Sequence, residues 1–291
     1  MACADLKNTP GSGTHTNPFI FFNQESGMNI TIKPVAIVTG GLRGLGLGIA
    51  TQLAHDGFDI AVIDLPPKSH ETDAVVAALS ELGTCVRYYA LDISDQPKHA
   101  STLEQIEEDF GPNGVLTCLV NNAGIAARPL TDLLELSPEA FDRSLDINLR
   151  GTFFLTQAFA KLLVKQDVNP YHRSVVMITS IAAEMISPDR AQYCVSKAAL
   201  SATTRLFAVR LANADIAVHE VRPGFMRTDM TASAGSDVID QWIADGRVPI
   251  PRWGTPKDVG RTVSTLAQGL IPYSTGQSFW VAGGLNMMRA T

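Results

Sequence analysis

The chain has 291 residues, of which 45% are hydrophobic and 18% are charged, so it can build a substantial core and does not resemble a disordered protein. Its formal net charge is -6 and it contains no block of lysines or arginines, which argues against nucleic acid and anionic membranes as partners. No apolar run reaches the roughly 18 to 20 residues that span a bilayer, so we expect no membrane insertion.

The N-terminal segment differs from the remainder. Residues 1–31 are rich in Asn, Thr, Ser, Gly and Pro, with one apolar island, "FIFF". They lack the basic and long apolar regions of a signal peptide. We interpret them as a poorly ordered N-terminal extension, followed by a single domain over residues 32–291.

From Pro34 onward, short β-branched runs alternate with longer helical stretches. Runs that are apolar on both faces and separated by helices predict a parallel sheet that is covered on both sides. We therefore predict an α/β fold: a doubly wound, Rossmann-type parallel sheet of about seven strands with helices on both faces. The predicted strands are 35–39, 59–64, 85–92, 117–124, 174–180, 216–221 and 277–284.

The first strand leads into a glycine-rich turn, "VTGGLRGLGLG", which opens a helix. Gly40, Gly44 and Gly46 have the spacing G-x-x-x-G-x-G. Glycines at such a turn let backbone N–H groups and a helix N-terminus approach a pyrophosphate closely. Asp64 ends the second strand, where a carboxylate can accept hydrogen bonds from an adenosine ribose diol. The alternative for Asp64 is a surface aspartate that closes a strand.

The four cysteines are scattered, with no CxxC spacing and no nearby cluster of histidines. This pattern argues against a zinc site and against a disulfide framework, and it indicates a reducing cytoplasm. Cys194 has no histidine beside it in the sequence, so we interpret it as a packed thiol and not as a nucleophile.

Tyr193 and Lys197 are four residues apart in "AQYCVSKAAL", and this spacing places both side chains on one face of a helix. An ammonium beside a phenol lowers the phenol pKa from its usual value near ~10. A phenol of this kind could exchange protons near neutral pH. The alternative is an ordinary helix start.

Several motifs occur in order along the chain: T-G-x-x-x-G-x-G at Thr39, Gly40, Gly44 and Gly46, "NNAG" at 121–124, Ser180, and Y-x-x-x-K at Tyr193 and Lys197. Together they resemble the short-chain dehydrogenase/reductases, and the resemblance runs from about Pro34 to the C-terminus. The tail "PRWGTPKDVG…YSTGQSFWVAGG" is similar to that of family members labelled 3-oxoacyl-[acyl-carrier-protein] reductase.

The resemblance implies four catalytic residues and no metal. Tyr193 would be the general acid/base, and Lys197 would lower the phenol pKa and hold the nicotinamide ribose. Ser180 would hydrogen-bond the substrate oxygen. Asn148 would hold a water that links Lys197 to solvent.

The resemblance also implies a set of cofactor contacts along the whole domain. Asn121, beside this set, has two interpretations, a ligand contact or a tie between strands. The implied cofactor-binding residues are Gly40, Arg43, Gly44, Leu45, Gly46, Asp64, Asp92, Ile93, Asn122, Ala123, Gly124, Tyr193, Lys197, Pro223, Gly224, Met226 and Thr228.

Two charges bear on the choice of cofactor. A carboxylate at Asp64 repels the 2′-phosphate of NADP(H), whereas the guanidinium of Arg43 can neutralise it. Because Asp64 ends the strand where the adenosine ribose must lie, we expect a preference for NAD(H), with NADP(H) as the second option.

The expected reaction is hydride transfer between a nicotinamide cofactor and a secondary alcohol or ketone. A 3-oxoacyl thioester, a polyol, a sugar or a hydroxyacid each remains a candidate substrate, with specificity set by residues 229–250 and the loop after "NNAG". The rival from another class is a non-catalytic dinucleotide-binding sensor. The presence of all four implied catalytic residues argues against it.

Two predictions concern partners. The resemblance implies a homotetramer or homodimer formed through predicted helices 138–166 and 195–213. Apolar residues on these helices agree with it: Phe153, Phe154, Phe159, Leu200 and Phe207. Acyl carrier protein is a doubtful partner, because acidic carriers normally meet basic patches. The segment after "NNAG" offers one base, Arg128, against Asp132, Glu135, Glu139 and Asp142.

Overall fold

The computed structural model describes residues 19–22, 29–65, 69–166, 170–228 and 236–287. The strands are β1 (Phe19–Phe22), β2 (Asn29–Thr39), β3 (Asp59–Asp64), β4 (Val86–Ala90), β5 (Gly114–Asn121), β6 (Arg173–Ile178), β7 (Ile216–Pro223) and β8 (Ser278–Val281). The helices of eight or more residues are α1 (Gly44–His55), α2 (His70–Ser80), α3 (His99–Phe110), α4 (Pro138–Leu145), α5 (Thr152–Lys165), α6 (Ala191–Leu211), α7 (Ser236–Ala244) and α8 (Pro256–Ala267).

The sheet is parallel from β4 to β8 and has the order β4-β3-β2-β5-β6-β7-β8. This confirms the predicted doubly wound parallel sheet of about seven strands. Strand order reverses between β2 and β5, so the carboxyl ends of these two strands border a crevice. In open α/β sheets this crevice is where ligands bind.

Two buried apolar layers cover the sheet, one on each face. On one face, α3, α5 and α6 contribute residues such as Ile106, Phe159 and Leu200, all 1% exposed or less. On the other face, Leu53 of α1 and Val263 of α8 are fully buried. A sheet that is apolar on both faces requires helices on both sides, as the continuous apolar runs of the sequence predict.

Strand ends differ from the predicted ones. β2 begins at Asn29, and the four-residue β1 pairs with it antiparallel, although the sequence prediction contained no strand before Val35. The predicted strand 117–124 ends at Asn121, because the backbone N–H of Asn122 leaves the ladder and donates to the Thr39 hydroxyl. Residues 1–18 and 23–28 lie outside the described residues, so the poorly ordered extension and the boundary at residue 32 stay predictions.

The predicted helix 138–166 is not continuous. Between α4 and α5 the chain forms a π-helical segment, Asp146–Gly151. A Cβ on Gly151 would lie 2.4 Å from the carbonyl oxygen of Ile93, so the backbones meet more closely than a side chain allows. Such a π-segment is frequent at functional sites, and this one contains Asn148. The other predicted helix, 195–213, begins four residues earlier, at Ala191.

Within the described ranges, no helix combines the length and the apolar character that crossing a membrane requires.

Candidate active site

The glycine-rich turn between β2 and α1 needs its glycines for steric reasons. Gly40 and Gly44 have φ values of 65° and 56°, in the left-handed region that disfavours other residues. At Gly46 a Cβ would lie 1.9 Å from the Gly40 carbonyl oxygen. The turn therefore folds back closely on itself, and a side chain at Gly46 would clash with its backbone.

Helix α1 starts without a side-chain cap. Its N-cap is the exposed Arg43, which makes no capping hydrogen bond, whereas Ser69, Ser137 and Thr255 cap α2, α4 and α8. The amide donors of the first turn, with the positive end of the helix dipole, are thus available to an anion. Leu45, partly buried, lies in this turn.

Asp64 sits at the end of β3 against the same turn. Its carboxylate accepts hydrogen bonds from the backbone N–H groups of Leu42 (3.1 Å) and Leu65 (2.8 Å). These contacts orient the carboxylate beside the glycine-rich turn and also hold that turn in place.

Thr39 joins the ends of β2 and β5. Its buried hydroxyl accepts hydrogen bonds from the backbone N–H groups of Asn122 (2.9 Å) and Ala123 (3.0 Å). The Asn122 amide donates to the carbonyls of Thr39 (3.0 Å) and Gly40 (3.1 Å). The "NNAG" segment is therefore fixed to the glycine-rich turn across the crevice.

Asn121 is buried and donates to the Thr156 hydroxyl at 2.9 Å and to the Met177 sulfur at 3.3 Å. These contacts tie β5 to α5 and β6, which supports the structural interpretation of Asn121.

The residues expected to flank the adenine follow β4. Asp92 is exposed, and its carboxylate accepts hydrogen bonds from the Ser94 backbone (2.9 Å) and hydroxyl (2.7 Å). Ile93 is buried, and its carbonyl accepts a 2.9 Å hydrogen bond from His99 Nε2. Both residues lie in the loop at the carboxyl end of β4.

The side chains of Lys197 and Asn148 both lie close to the exposed Gly124. Lys197 is 5% exposed and its Nζ donates to the Ile178 carbonyl at 3.0 Å. The Asn148 amide donates to the Ile125 carbonyl (3.0 Å) and to the Ser196 hydroxyl (3.2 Å). A Cβ on Gly124 would lie 3.0 Å from Asn148 Oδ1 and 3.7 Å from Lys197 Nζ, so only glycine leaves this surface open.

Tyr193 lies one turn before Lys197, as the spacing predicts, and Lys197 Nζ is 5.6 Å from the centre of its ring. Burial raises the pKa of the phenol, although a hydrogen-bonding interaction with Ser180 and the charge of Arg190 both lower it. The prediction of a pKa below the usual range is wrong for this structure. Lys197 lies over the ring face, and burial lowers its own pKa to about 8.

Ser180 follows β6 and faces the phenol. Its hydroxyl oxygen accepts a 3.1 Å hydrogen bond from the backbone N–H of Ala182, which orients the side chain. The Ser180 and Tyr193 hydroxyls form a pair that can contact one substrate oxygen.

The segment after β7 closes the cofactor side of the crevice. Gly224 donates a 3.0 Å hydrogen bond to the Val281 carbonyl, and a Cβ there would lie 2.8 Å from Ala282 Cα. Pro223 ends β7. Met226 is 5% exposed and packs against Gly254.

Thr228 approaches the start of α1. A Cβ on Gly44 would lie 4.0 Å from the Thr228 side chain. The segment after β7 and the glycine-rich turn therefore border the same opening.

The structure describes residues 236–250 of the segment 229–250, which is predicted to set substrate specificity. Residues 229–235, with Met230, lie outside the described residues. Trp242 of α7 stacks edge-on against Phe225, with ring centres 5.7 Å apart, while Ile243 is partly buried. The indole N–H of Trp253 donates a 2.6 Å hydrogen bond to Asp240.

Sequence reasoning missed a buried ion pair near the predicted catalytic residues. Glu220 and Arg222 on β7 are 1% and 3% exposed, and the carboxylate accepts a 2.7 Å hydrogen bond from Arg222 Nε. The signal was present in the sequence: two opposite charges, two residues apart in an otherwise apolar strand, share one face and must pair.

Comparison with known proteins identifies the family. A family model described as Enoyl-(Acyl carrier protein) reductase matches residues 40–286. The 3-oxoacyl-[acyl-carrier-protein] reductase FabG of Staphylococcus epidermidis is 33% identical over 252 residues, which cover 87% of this chain and 98% of that protein. The chain belongs to the short-chain dehydrogenase/reductase family. This confirms the resemblance and makes the protein a nicotinamide-dependent oxidoreductase of that family.

Two crystal structures of short-chain dehydrogenase/reductases extend the comparison to cofactors. A 3-oxoacyl-[acyl-carrier protein] reductase from Brucella melitensis in complex with NAD is 44% identical, with a TM-score of 0.84, over 88% of this chain and 98% of that chain. A putative 2-deoxy-d-gluconate 3-dehydrogenase from Agrobacterium tumefaciens with bound NADP is 29% identical, with a TM-score of 0.75, over 88% of this chain and 97% of that chain. A nicotinamide dinucleotide is the common cofactor, and its two forms both occur among relatives.

Proposed function

We propose that the protein interconverts a secondary alcohol and a ketone, with Tyr193 as general acid/base. The observation that carries the proposal is the convergence of the Tyr193 phenol, the Ser180 hydroxyl and the Lys197 ammonium at the carboxyl ends of the strands, beside the glycine-rich turn. This arrangement can polarise the carbonyl oxygen of a substrate and donate a proton to it. These are the two tasks that protein groups perform in a carbonyl reduction.

The residues fit a dinucleotide. The uncapped start of α1 offers donors to a diphosphate, Asp64 offers acceptors to a ribose diol, and Gly124 leaves the surface above Lys197 open. When bound, the nicotinamide supplies or accepts the hydride at the carbon that carries the oxygen. Lys197 would donate hydrogen bonds to the nicotinamide ribose.

The source of the proton in carbonyl reduction is the protonated phenol of Tyr193. Because burial raises its pKa, Tyr193 is protonated at neutral pH and is ready to donate to the carbonyl oxygen. In that direction a ketone gains a hydride on carbon and the Tyr193 proton on oxygen, and the phenolate regains a proton from solvent. Ser180 orients the oxygen, and Asn148 holds the water through which the proton returns. In alcohol oxidation the same steps run backwards, so that reaction benefits from higher pH.

We also propose a preference for NAD(H) over NADP(H). Asp64 is fixed by the amides of Leu42 and Leu65, so its negative charge stays at the ribose end of the crevice. Arg43 is exposed at the start of α1 and can lie along the diphosphate of either cofactor. A fixed carboxylate should discriminate against a 2′-phosphate by several-fold to hundreds-fold.

The proposed substrate is a small free carbonyl or alcohol, or a thioester used without recognition of a carrier protein. The residues after "NNAG" expose Glu135, Glu139 and Asp142 beside the exposed Arg128. An acidic carrier protein would meet like charge here. Salt-sensitive, micromolar binding of a cognate acyl carrier protein would contradict this part of the proposal.

We propose a homodimer or homotetramer that uses the outer faces of α5 and α6. Of the five apolar residues expected to form the contact, Phe159, Leu200 and Phe207 instead pack under the helices in the core. The exposed apolar positions are Phe154 and Val164 on α5 and Val195, Leu206 and Val209 on α6. Exposed apolar positions of this kind, here called the exposed apolar stripe, are typical of a subunit contact.

The cytoplasm is the compartment we propose. Among the described residues Cys85, Cys118 and Cys194 are free thiols, which suits a reducing environment.

The experiment that tests the proposed function is a panel of substrates with both cofactors. Hydroxyacids, polyols, sugars and secondary alcohols are offered for oxidation, and 3-oxoacyl thioesters and simple ketones for reduction, while absorbance of the reduced cofactor is followed. We expect turnover with at least one secondary alcohol or ketone. Tight binding of NADH without turnover across the panel would instead support a non-catalytic sensor.

A further inference from the structure

Glu220 is the most heavily hydrogen-bonded carboxylate of the site's surroundings, and the proposed mechanism does not use it. Its Oε1 accepts from the Thr179 hydroxyl (2.5 Å) and from Arg222 Nε (2.7 Å). Its Oε2 accepts from the hydroxyls of Ser201 (2.8 Å) and Ser278 (2.7 Å) and from the terminal guanidinium nitrogen of Arg222 (3.2 Å). A buried carboxylate with this many donors is held ionised.

These donors connect the elements that carry the catalytic residues. Thr179 immediately precedes Ser180 at the end of β6. Ser201 lies one helical turn after Lys197 on the same face of α6, and Lys197 Nζ itself is bonded to Ile178, next to Thr179. One carboxylate therefore joins the end of β6 to the catalytic helix.

Arg222 extends the connection to the other end of the Ser180 segment. Its guanidinium pairs with the half-exposed Glu184, four residues after Ser180, and donates a 2.7 Å hydrogen bond to the Ser201 hydroxyl. The same guanidinium lies over the Trp280 ring of β8 at 4.9 Å. The turn that carries Ser180 is thus held at Thr179 by Glu220 and at Glu184 by Arg222.

Resting on the proposed function, we propose that the Glu220–Arg222 pair is a positioning element of the reaction. It fixes Ser180 relative to α6, and Glu220 supplies the negative charge that keeps the buried Lys197 ammonium charged. Burial alone favours neutral lysine, so a buried ammonium needs such a counter-charge.

The groups that face Lys197 from each neighbouring element support this assignment. α6 itself contributes Tyr193. β7 contributes Glu220, which is bonded to Ser201, one turn after Lys197, and to Thr179, next to the Ile178 that Lys197 contacts. Arg222 pairs with Glu220 and with Glu184. The π-helical segment contributes the neutral Asn148, and the loop after β5 contributes the backbone of Gly124.

The remaining charges of the π-helical segment, Asp146 and Arg150, pair with each other at 3.7 Å and are largely exposed. Burial lowers the pKa of Lys197 and the charge of Glu220 raises it.

The test compares the parent with Glu220→Gln, with the double variant Glu220→Gln/Arg222→Gln, and with Ser278→Ala as the matched control. The single variant keeps the size of the side chain and removes its charge. The double variant leaves no unpaired guanidinium, so it remains testable if the single variant does not fold. Ser278→Ala removes one hydrogen bond to Glu220 and no charge.

Two readouts are followed in each protein. The titration of Lys197 is measured by NMR with ¹³C-labelled lysine and assigned with Lys197→Met, and kcat/KM for carbonyl reduction is measured against pH. In Glu220→Gln we expect the Lys197 midpoint and the alkaline limb of kcat/KM to move to lower pH by about one unit. In the double variant we expect a smaller shift in the same direction, because the positive charge of Arg222 is removed as well. Ser278→Ala should leave the midpoint in place.

Three results would overturn the proposal. One is an unmoved Lys197 midpoint in the Gln variants, including the case in which kcat/KM falls equally at every pH, since a purely structural role predicts that. Another is an equal shift in Ser278→Ala. The third is failure of both Gln variants to fold, which would make the pair a requirement of folding. The NMR titration needs no turnover, so a failure of the proposed function would be recognised separately, as an inactive parent.

Discussion

The Nζ of Lys197 donates a 3.0 Å hydrogen bond to the carbonyl oxygen of Ile178, two residues before Ser180. This bond joins helix α6 to the end of strand β6 through a side chain that the proposed mechanism uses. Lys197 is 5% exposed, so its charge lies in the interior of the protein. The buried charge of Lys197 therefore lowers the stability of the fold, while its hydrogen bond to Ile178 positions α6 against β6.

The buried charge of Lys197 should lower the free energy of unfolding by a measurable amount. Burial lowers its pKa to about 8, while an unfolded lysine keeps its usual value of 10.5. Lys197→Met removes the buried charge, so we expect the free energy of unfolding at pH 7 to rise by about 1–3 kcal/mol while activity is lost. Chemical denaturation at pH 7 checks this.

The same variant has a predicted pH dependence. Between pH 8 and 10.5 the unfolded parent holds the lysine proton that the folded parent releases, so the parent gains stability as pH rises. The advantage of Lys197→Met should therefore shrink across this window. Lys161→Met, at an exposed lysine of α5, is the control and should change stability by less than about 0.5 kcal/mol. A Lys197→Met protein less stable than the parent at pH 7 would contradict the argument.

Cofactor preference should depend on Asp64. We expect the parent to have the higher kcat/KM with NADH, and Asp64→Ala to move the ratio of the two values toward NADPH by about tenfold or more. Since Asp64 also accepts hydrogen bonds from Leu42 and Leu65, Asp64→Ala should weaken binding of both cofactors; the ratio is the informative quantity. Asp64→Asn keeps an acceptor and serves as the comparison. A parent that prefers NADPH would contradict the proposed preference for NAD(H).

The exposed apolar stripe should hold subunits together. Val209 and Leu206 are 81% and 65% exposed on α6. Val209→Arg places a charge in the proposed contact, and we expect the mass in sedimentation to fall to that of the monomer. Leu134→Arg, at a residue that is 88% exposed outside α5 and α6, is the control and should keep the parent mass. A monomeric parent at micromolar concentration would count against the oligomer.

The sequence predicted the architecture because apolar runs and glycine spacing are local properties. Gly46, for example, is required by a contact within the same turn, with the Gly40 carbonyl. The strand ends were less predictable: Asn122 leaves the ladder because a hydroxyl from another strand, Thr39, takes its N–H. The π-helical segment likewise depends on the approach of Gly151 to Ile93, which no local pattern indicates.

Electrostatics and helix faces also required the three-dimensional structure. The four-residue spacing placed Tyr193 beside Lys197 correctly, but the direction of the phenol pKa depends on burial, which the spacing does not contain. Periodicity groups Leu200 with Phe207, yet only the packing shows that this face covers the sheet while Leu206 and Val209 face outward. The Glu220–Arg222 pair was predictable from two opposite charges on one face of an apolar strand.

The central claim, that Tyr193 transfers the proton, is tested most directly by Tyr193→Phe with the cofactor already bound. Single-turnover reduction of the best ketone by bound NADH is followed by absorbance, and NADH affinity is measured by fluorescence. Tyr89→Phe is the matched control, because it removes a hydroxyl that is hydrogen-bonded to Asp109, away from the site. We predict that Tyr193→Phe loses about 10² to 10⁴-fold in rate while NADH affinity and the Tyr89→Phe rate stay near those of the parent. A Tyr193→Phe rate within twofold of the parent would contradict the account.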